Sequence, residues 1–319
     1  MYVGPPARGV RVPWWDLPAP VREWAEEALG APVVEAVTQP GGFSPGVAAR
    51  LLCVDGTRAF CKAVSATTNA ESPDMHRREA GISKALPVSA PVPRLVASYD
   101  DGTWVALLFA DVDGRQPTLP WREAELDRVV LALIELAATL TPSPVSDLAT
   151  LPEPLGEDFA SWRRLAGGQG PSRTDGLDAW STRHLDRLAE LEVQWERAAG
   201  GETLLHCDLR ADNLLLAGDR VWVVDWPWAA LGAAWVDPVA FAPSVAMQGG
   251  PPPEEMLGRF PSALAADPAA VDAVVCAVAG LFTEHSLRPP RAGLPTLRAF
   301  QAAQGRVARA WLARRTGWR

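Results

Sequence analysis

The sequence predicts an α+β protein in which a small antiparallel β-rich unit precedes a larger α-helical one. Three observations carry this. Roughly the first hundred residues hold five short apolar segments separated by turn residues. From about Asp111 the apolar positions change to helical spacing, with Leu126, Val129, Val130, Leu133, Ala137 and Leu140 on one stripe. The chain of 319 residues is longer than a minimal domain and suits two packed lobes, placed at 1–110 and 111–319.

Taken in order, residues 20–29 read as a helix closed by Gly30. Strands are expected at 33–38, 47–54 and 58–64, and Asp55-Gly56 signals a tight hairpin between the second and third. Residues 71–86 read as a helix ending before Pro87, with Met75, Glu79, Ile82 and Leu86 along one apolar stripe. Strands at 94–99 and 103–109 complete the first unit. In the second, the long amphipathic helix is followed by one suggested by Trp180, Leu188, Leu191 and Trp195. Leu297, Phe300, Val307 and Trp311 suggest a C-terminal helix. Pro- and Gly-rich loops at 141–156, 166–176 and 248–253 separate these helices.

Composition excludes several classes of function. With 48% hydrophobic and 21% charged residues the chain is neither disordered nor collagen-like. A net charge of −8 and a pI near 5.1 leave no basic footprint for nucleic acid and disfavour an anionic membrane surface. The four cysteines, at 53, 61, 207 and 276, have no CxxC spacing, so neither a zinc site nor a redox pair is indicated. The N-terminal dozen residues contain no apolar signal region. The longest apolar stretch, at 271–282, falls short of the roughly twenty residues of a membrane span. These features read as a soluble protein of the reducing cytoplasm. Of the 30 basic residues only Lys62 and Lys84 are lysine, and Asn69 and Asn213 are the only asparagines. Against this bias, typical of GC-rich coding, a retained Lys or Asn is a candidate for chemical necessity.

The most informative segment is 204–226, LLHCDLRADNLLLAGDRVWVVDW. Two short strands, 214–216 and 221–224, flank a turn centred on Gly218-Asp219. That register sets Asn213 opposite Val224, one step from Asp225. Asp208 precedes Asn213 by five residues on the loop entering the hairpin. Two carboxylates and an amide at one hairpin mouth form a hard-oxygen site suited to Mg²⁺.

The pattern His206-x-Asp208-x-x-x-x-Asn213, followed by Asp225 after an apolar strand, is the catalytic-loop pattern of kinases. With it the chain resembles the aminoglycoside phosphotransferase / choline kinase family, over about 41–237. The resemblance implies a protein-kinase-like bilobal fold and transfer of the ATP γ-phosphoryl group to a substrate hydroxyl. It implies that Asp208 orients that hydroxyl and accepts its proton, that Asn213 and Asp225 hold Mg²⁺, and that His206 braces the loop. Arg210 stands where protein kinases carry a lysine facing the γ-phosphate.

The N-terminal unit supplies a second, independent pattern. Lys62 sits in the apolar strand Phe60-Cys61-Lys62-Ala63-Val64, where an unpaired charge is costly. Glu79, on the apolar stripe of its helix, is the candidate partner and fits the kinase Lys–Glu pair that positions the α- and β-phosphates; the alternative is that Lys62 snorkels from an edge strand. The loop Gly41-Gly42-Phe43-Ser44-Pro45-Gly46 departs from GxGxxG but can cover phosphates through backbone N–H groups, with the Ser44 hydroxyl assisting. Residues 107–114 look like the family's linker between lobes, in which the backbone of Ala110 and Val112 would bind the adenine edge.

The implied partners are ATP, Mg²⁺ and a small hydroxylated acceptor. A protein substrate is disfavoured, because only a short segment separates Asp225 from Asp237 and no APE-like motif follows. The alternatives are a catalytically weak nucleotide-binding regulator, although Lys62, Asp208, Asn213 and Asp225 are all present, and a kinase of a neutral sugar or another antibiotic. Trp226, Trp228 and Trp235 follow the expected metal ligand within a few positions. If their faces are open, they and the net charge of −8 favour a cationic acceptor such as an aminoglycoside or amino alcohol; the alternative is that these three of the chain's 14 tryptophans are core. In the resembled family the position of Asp237 often braces the catalytic loop.

Overall fold

The computed structural model describes residues 4–67, 72–168 and 176–319. The expected helix start at Glu71, Asn69 and most of the 166–176 loop lie outside the described residues. Helix α1 (Ala19–Leu29) opens after Pro18 with Pro20 in its first turn. It closes on Gly30, whose φ of 80° lets its N–H reach the carbonyls of Glu26 and Glu27.

A five-stranded antiparallel sheet follows, built from β1 (Val33–Thr38), β2 (Val47–Cys53), β3 (Arg58–Ser65), β4 (Leu95–Asp100) and β5 (Trp104–Ala110), in the order β1-β2-β3-β5-β4. The Asp55-Gly56 hairpin forms as expected, with Gly56 at φ 88°. Alternation along β3 sends Ala59, Cys61 and Ala63 into a core shared with Trp14, Val21 and Ala25. Phe60 and Lys62 therefore take the other face, against which α2 (Ser72–Ala85) packs through Ala80. The buried face of α2 carries Ser72, Pro73, His76, Glu79 and Ala80, so Glu79 is turned towards the strand bearing Lys62.

The remainder is mostly helical and has its own core. Helix α3 (Glu123–Thr139) buries the anticipated stripe of Leu126, Val129, Val130 and Leu133. Short helices follow: α4 (Pro152–Leu155), α5 (Ser161–Ala166), α6 (Ala179–Arg183), α7 (Leu185–Glu192) and α8 (Trp195–Ala198). The single helix expected around 180–195 is thus three. The chain bends at His184, whose ring packs against Trp180 and Trp318 and bonds the Arg319 carbonyl at 2.9 Å. Strand β6 (Thr203–Leu205) pairs with β9 (Ala230–Gly232), and β7 (Leu214–Ala217) forms a hairpin with β8 (Arg220–Val223).

Helix α9 (Val236–Met247), α10 (Pro253–Leu257) and α11 (Pro261–Leu264) lead to α12 (Pro268–Leu287) and α13 (Leu297–Thr316). The apolar stretch read as about twelve residues is a helix of 20, long and apolar enough to cross a membrane by composition alone. Its buried residues, among them Val271, Val274, Val275 and Val278, instead make it the central helix of the second core.

Ahead of α1 the chain joins both halves. The Gly4 N–H donates to the Met247 carbonyl (3.3 Å) and the Val10 N–H to the Gly293 carbonyl (2.8 Å). Arg8 and Arg11 form β-bridges with Gly41 and Gly46.

Candidate active site

The cleft between the sheet and the helical region is lined by the 41–44 loop, Lys62, Glu79, Asn213 and Asp225, among others. Lys62 Nζ lies 2.7 and 2.9 Å from the two Glu79 carboxylate oxygens and 2.6 Å from Asp225 Oδ1. Burial would lower the Lys62 pKa, but the two carboxylates outweigh it and hold the ammonium above its ordinary value. Asp225 is the mirror case: burial raises it, yet the Lys62 ammonium keeps it well below the usual carboxylate range. Glu79, 3% exposed, is raised by burial against the pull of Lys62. His76 stands on the same wall, its pKa brought down to about 4 by burial and by Lys62.

The β7–β8 hairpin has the register read from the sequence. Leu214 pairs with Val223, and the Val224 N–H donates to the Asn213 carbonyl at 3.0 Å. Alternation buries Leu214, Leu216, Val221 and Val223, which fixes the mouth residues relative to the core. Asn213 Nδ2 donates to the Asp208 carbonyl (2.8 Å) and to Asp208 Oδ2 (3.2 Å), so the amide oxygen is the end left for a cation.

The loop before the hairpin is held from behind. Asp237 accepts the His206 N–H (2.7 Å) and the Cys207 N–H (2.9 Å) on its two oxygens. His206 Nδ1 accepts the Asp208 N–H at 3.1 Å, so Nε2 carries the proton and donates to the Val224 carbonyl at 2.9 Å. Burial lowers the pKa of this ring despite the neighbouring Asp237, and the neutral tautomer suits both bonds. Cys207 and Asp225 adopt left-handed backbone, at φ 62° and 72°.

Burial pushes Asp208 up to about 6, against the opposing pull of the Arg210 guanidinium that hydrogen-bonds it. Arg210 is in turn gripped by both oxygens of Asp212, each at 3.0 Å, and lies over the ring of Phe43 at 5.5 Å. Asp212 is a residue the sequence reading passed over, although it lies inside the motif.

The donor set fits Mg²⁺ only in part. Asn213 offers one oxygen and Asp225 keeps one oxygen clear of Lys62, and no cluster of three metal-binding side chains occurs among the described residues. Mg²⁺ retains waters and takes phosphate oxygens, so a sparse pair of protein oxygens matches an ion that arrives with a nucleotide.

Gly42 and Gly46 of the covering loop have φ 88° and 106°, and a Cβ on Gly46 would stand 2.4 Å from the Ala63 carbonyl. Ser44 lines the cleft; its Oγ donates a 3.4 Å bond to the Pro45 carbonyl, and its own carbonyl accepts from Arg11. Ala110 and Val112 also line the cleft. The Ala110 N–H, however, is spent on the Arg94 carbonyl at 2.8 Å, because β4 and β5 run together to that point. An adenine contact from that N–H is therefore not available, whereas the Val112 N–H has no partner among the described residues.

The tryptophan expectation is corrected. Trp226 and Trp235 are 1% and 9% exposed and belong to the core, Trp226 against the His206 ring. The Trp228 face is covered by the Arg78 guanidinium at 5.2 Å. None of the three is an open aromatic face for a cation. Arg11, unread in the sequence because its segment has no periodicity, enters the cleft instead.

The structure resembles several solved proteins. A thermostable mutant of aminoglycoside phosphotransferase APH(4)-Ia, in complex with ADP and hygromycin B, has a TM-score of 0.63 at 14% identity, covering 92% of this chain and 98% of that one. Choline kinase LicA from Streptococcus pneumoniae has a TM-score of 0.61 at 10% identity, with coverage of 92% and 98%. Amicoumacin kinase hAmiN, in complex with AMP-PNP, Ca²⁺ and Ami, has a TM-score of 0.56 at 12% identity, covering 94% of each chain. At such identities the likeness is one of fold, and the fold is kinase-like. No curated protein matches the sequence. The match that reaches further is to a family described as the phosphotransferase enzyme family, over residues 40–274. It spans the glycine loop, Lys62, Glu79, the catalytic loop and the hairpin with Asn213 and Asp225, and the chain belongs to that family.

Proposed function

We propose that the protein is an ATP-dependent kinase of a small hydroxylated molecule. The observation that supports this best is the buried network in which Lys62 bridges Glu79 and Asp225, in the cleft that also holds Asn213. In this reading Lys62, kept in place by Glu79, meets the α- and β-phosphates. Asn213 and Asp225 hold Mg²⁺, which neutralises charge on the phosphates when bound. Asp208 accepts the hydrogen bond of the acceptor hydroxyl and takes its proton as the oxygen forms its bond to the γ-phosphorus. The bond from that phosphorus to the β–γ bridging oxygen breaks, and ADP leaves with that oxygen. A pKa of about 6 leaves Asp208 ionised at neutral pH. Arg210, held by Asp212, faces the γ-phosphate once its bond to Asp208 gives way to the acceptor. His206 and Asp237 keep the loop in register.

The acceptor class we infer is amine-bearing. Net charge −8 draws cations, and the similar structures carry names that include hygromycin B, amicoumacin and choline. A cytoplasmic site of action fits ATP as the donor. The test is ADP release and product mass with the full chain, ATP and Mg²⁺, against aminoglycosides, amino alcohols and neutral sugars. Phosphorylation of neutral sugars alone removes the amine preference. Nucleotide binding with no turnover on any acceptor favours the regulator and overturns the kinase.

A further inference from the structure

Arg11 belongs to neither the sheet nor the helices. Its segment lies along the glycine loop, bridged from Arg11 to Gly46 and tied by the Val12 N–H to the Gly46 carbonyl at 3.0 Å. From there the guanidinium enters the cleft and donates to the carbonyls of Gly41 and Ser44. Both partners are neutral, and among the described residues no carboxylate pairs with it. Its Nε is buried with no hydrogen-bond partner.

A guanidinium withdrawn from water without a counter-ion is costly unless an anion completes its surroundings. Lys62, another cation of the cleft wall, already shares its charge between Glu79 and Asp225. Burial lowers the Arg11 pKa, and Asp225 and Asp212 act on it only through space. A planar fork with an unmet donor, on the loop expected to cover phosphates, matches a phosphate oxygen.

We propose that Arg11 is a second phosphate-binding cation of the nucleotide site, contacting the β- and γ-phosphates from the glycine-loop side. This rests on the kinase reading above. It assigns a binding role to a segment ahead of the family match, which begins at residue 40.

The test is calorimetric titration of the full chain with ATP, ADP and AMP in Mg²⁺, for the wild type, Arg11→Gln and Arg11→Lys. Loss of a charge-assisted bond weakens ATP and ADP by about ten- to a hundredfold in Arg11→Gln. AMP affinity stays unchanged, and Arg11→Lys falls between. Melting without nucleotide, matched between wild type and variant, establishes that the variant is folded. Equal weakening of AMP and ATP, or unchanged ATP binding, overturns the proposal and leaves Arg11 a fastener of the loop. A wild-type chain that binds none of the three nucleotides overturns the kinase reading itself. Wild-type ATP binding with an unaltered ATP-to-AMP ratio in Arg11→Gln removes only Arg11.

Discussion

Lys62→Met tests the central network most directly. The substitution keeps the length and apolar stem of the side chain but removes the cation between Glu79 and Asp225. Taking one partner out of a buried pair costs about 3–5 kcal/mol. Asp225 is 31% exposed at its side chain, so the lower end, about 3 kcal/mol at pH 8, applies. At about 2–3 °C per kcal/mol for a chain of this size, Tm falls by about 6–9 °C.

The cost also depends on pH in a defined direction. In the variant, burial and mutual repulsion raise both carboxylates above their ordinary values. A carboxylate whose folded pKa exceeds its unfolded one binds protons more readily when folded. The variant therefore regains stability as pH falls through that raised value. In the wild type, Asp225 is held below its ordinary value by Lys62, and its contribution is intact until the pH drops beneath the ordinary carboxylate range. Glu79 is raised by burial in the wild type too, but Lys62 opposes the rise. The gap between the two proteins is thus widest at pH 8 and narrower at pH 5. Thermal unfolding of wild type, Lys62→Met and Lys62→Met/Glu79→Gln at both pH values measures it, with the double variant recovering much of the loss. A drop under about 2 °C at pH 8, or a gap equal at the two pH values, refutes the reasoning.

Asp208→Asn lowers transfer by about 100- to 10,000-fold while ATP affinity holds, as judged by steady-state rates beside calorimetry; near-normal turnover would remove Asp208 from the chemistry. In the wild type, kcat/KM rises through a pH of about 6 as Asp208 ionises, and an acid limb wholly below pH 5 contradicts that assignment. Gly46→Ala, at φ 106° with the Ala63 carbonyl 2.4 Å from the new carbon, lowers stability by about 1–3 kcal/mol and weakens ATP; an unchanged Tm speaks against the loop geometry. Calorimetry with millimolar Mg²⁺ gives no heat of binding without nucleotide and a clear one with AMP-PNP, whereas tight binding to the bare protein points to a different metal site.

Local spacing carried the parts of the site that lie within one element. The Asn213–Val224 pairing follows from strand alternation and one turn dipeptide, and the structure reproduces it. The meeting of Lys62 and Glu79 was legible because a charge amid strand hydrophobics and a carboxylate on a helix's apolar stripe each demanded a partner. What stayed hidden depends on contacts between distant segments. Strands β6 and β9 have three residues each and pair across more than twenty positions, too short for a periodic signal. Periodicity counts tryptophans but does not say which core a ring enters, so the sequence left both an acceptor-facing and a core role open for Trp226 and Trp235. Arg11 lies among prolines and glycines and acquires meaning only when its segment lies against Gly41–Gly46.

The β7–β8 hairpin has a consequence for how this chain can vary in length. Its alternation anchors Leu214, Leu216, Val221 and Val223 in the core, and the tip at Gly218 is tied down from outside by the Arg128 guanidinium, 2.6 Å from the Gly218 carbonyl. An extra residue at the tip can bulge into solvent while the buried rungs stay in place. The same insertion between Val221 and Asp225 shifts every later side chain to the opposite face, and the carboxylate leaves Lys62. Tolerance to insertion and deletion therefore changes from permissive at the exposed tip to forbidding on the buried rungs, within a few residues along one short hairpin.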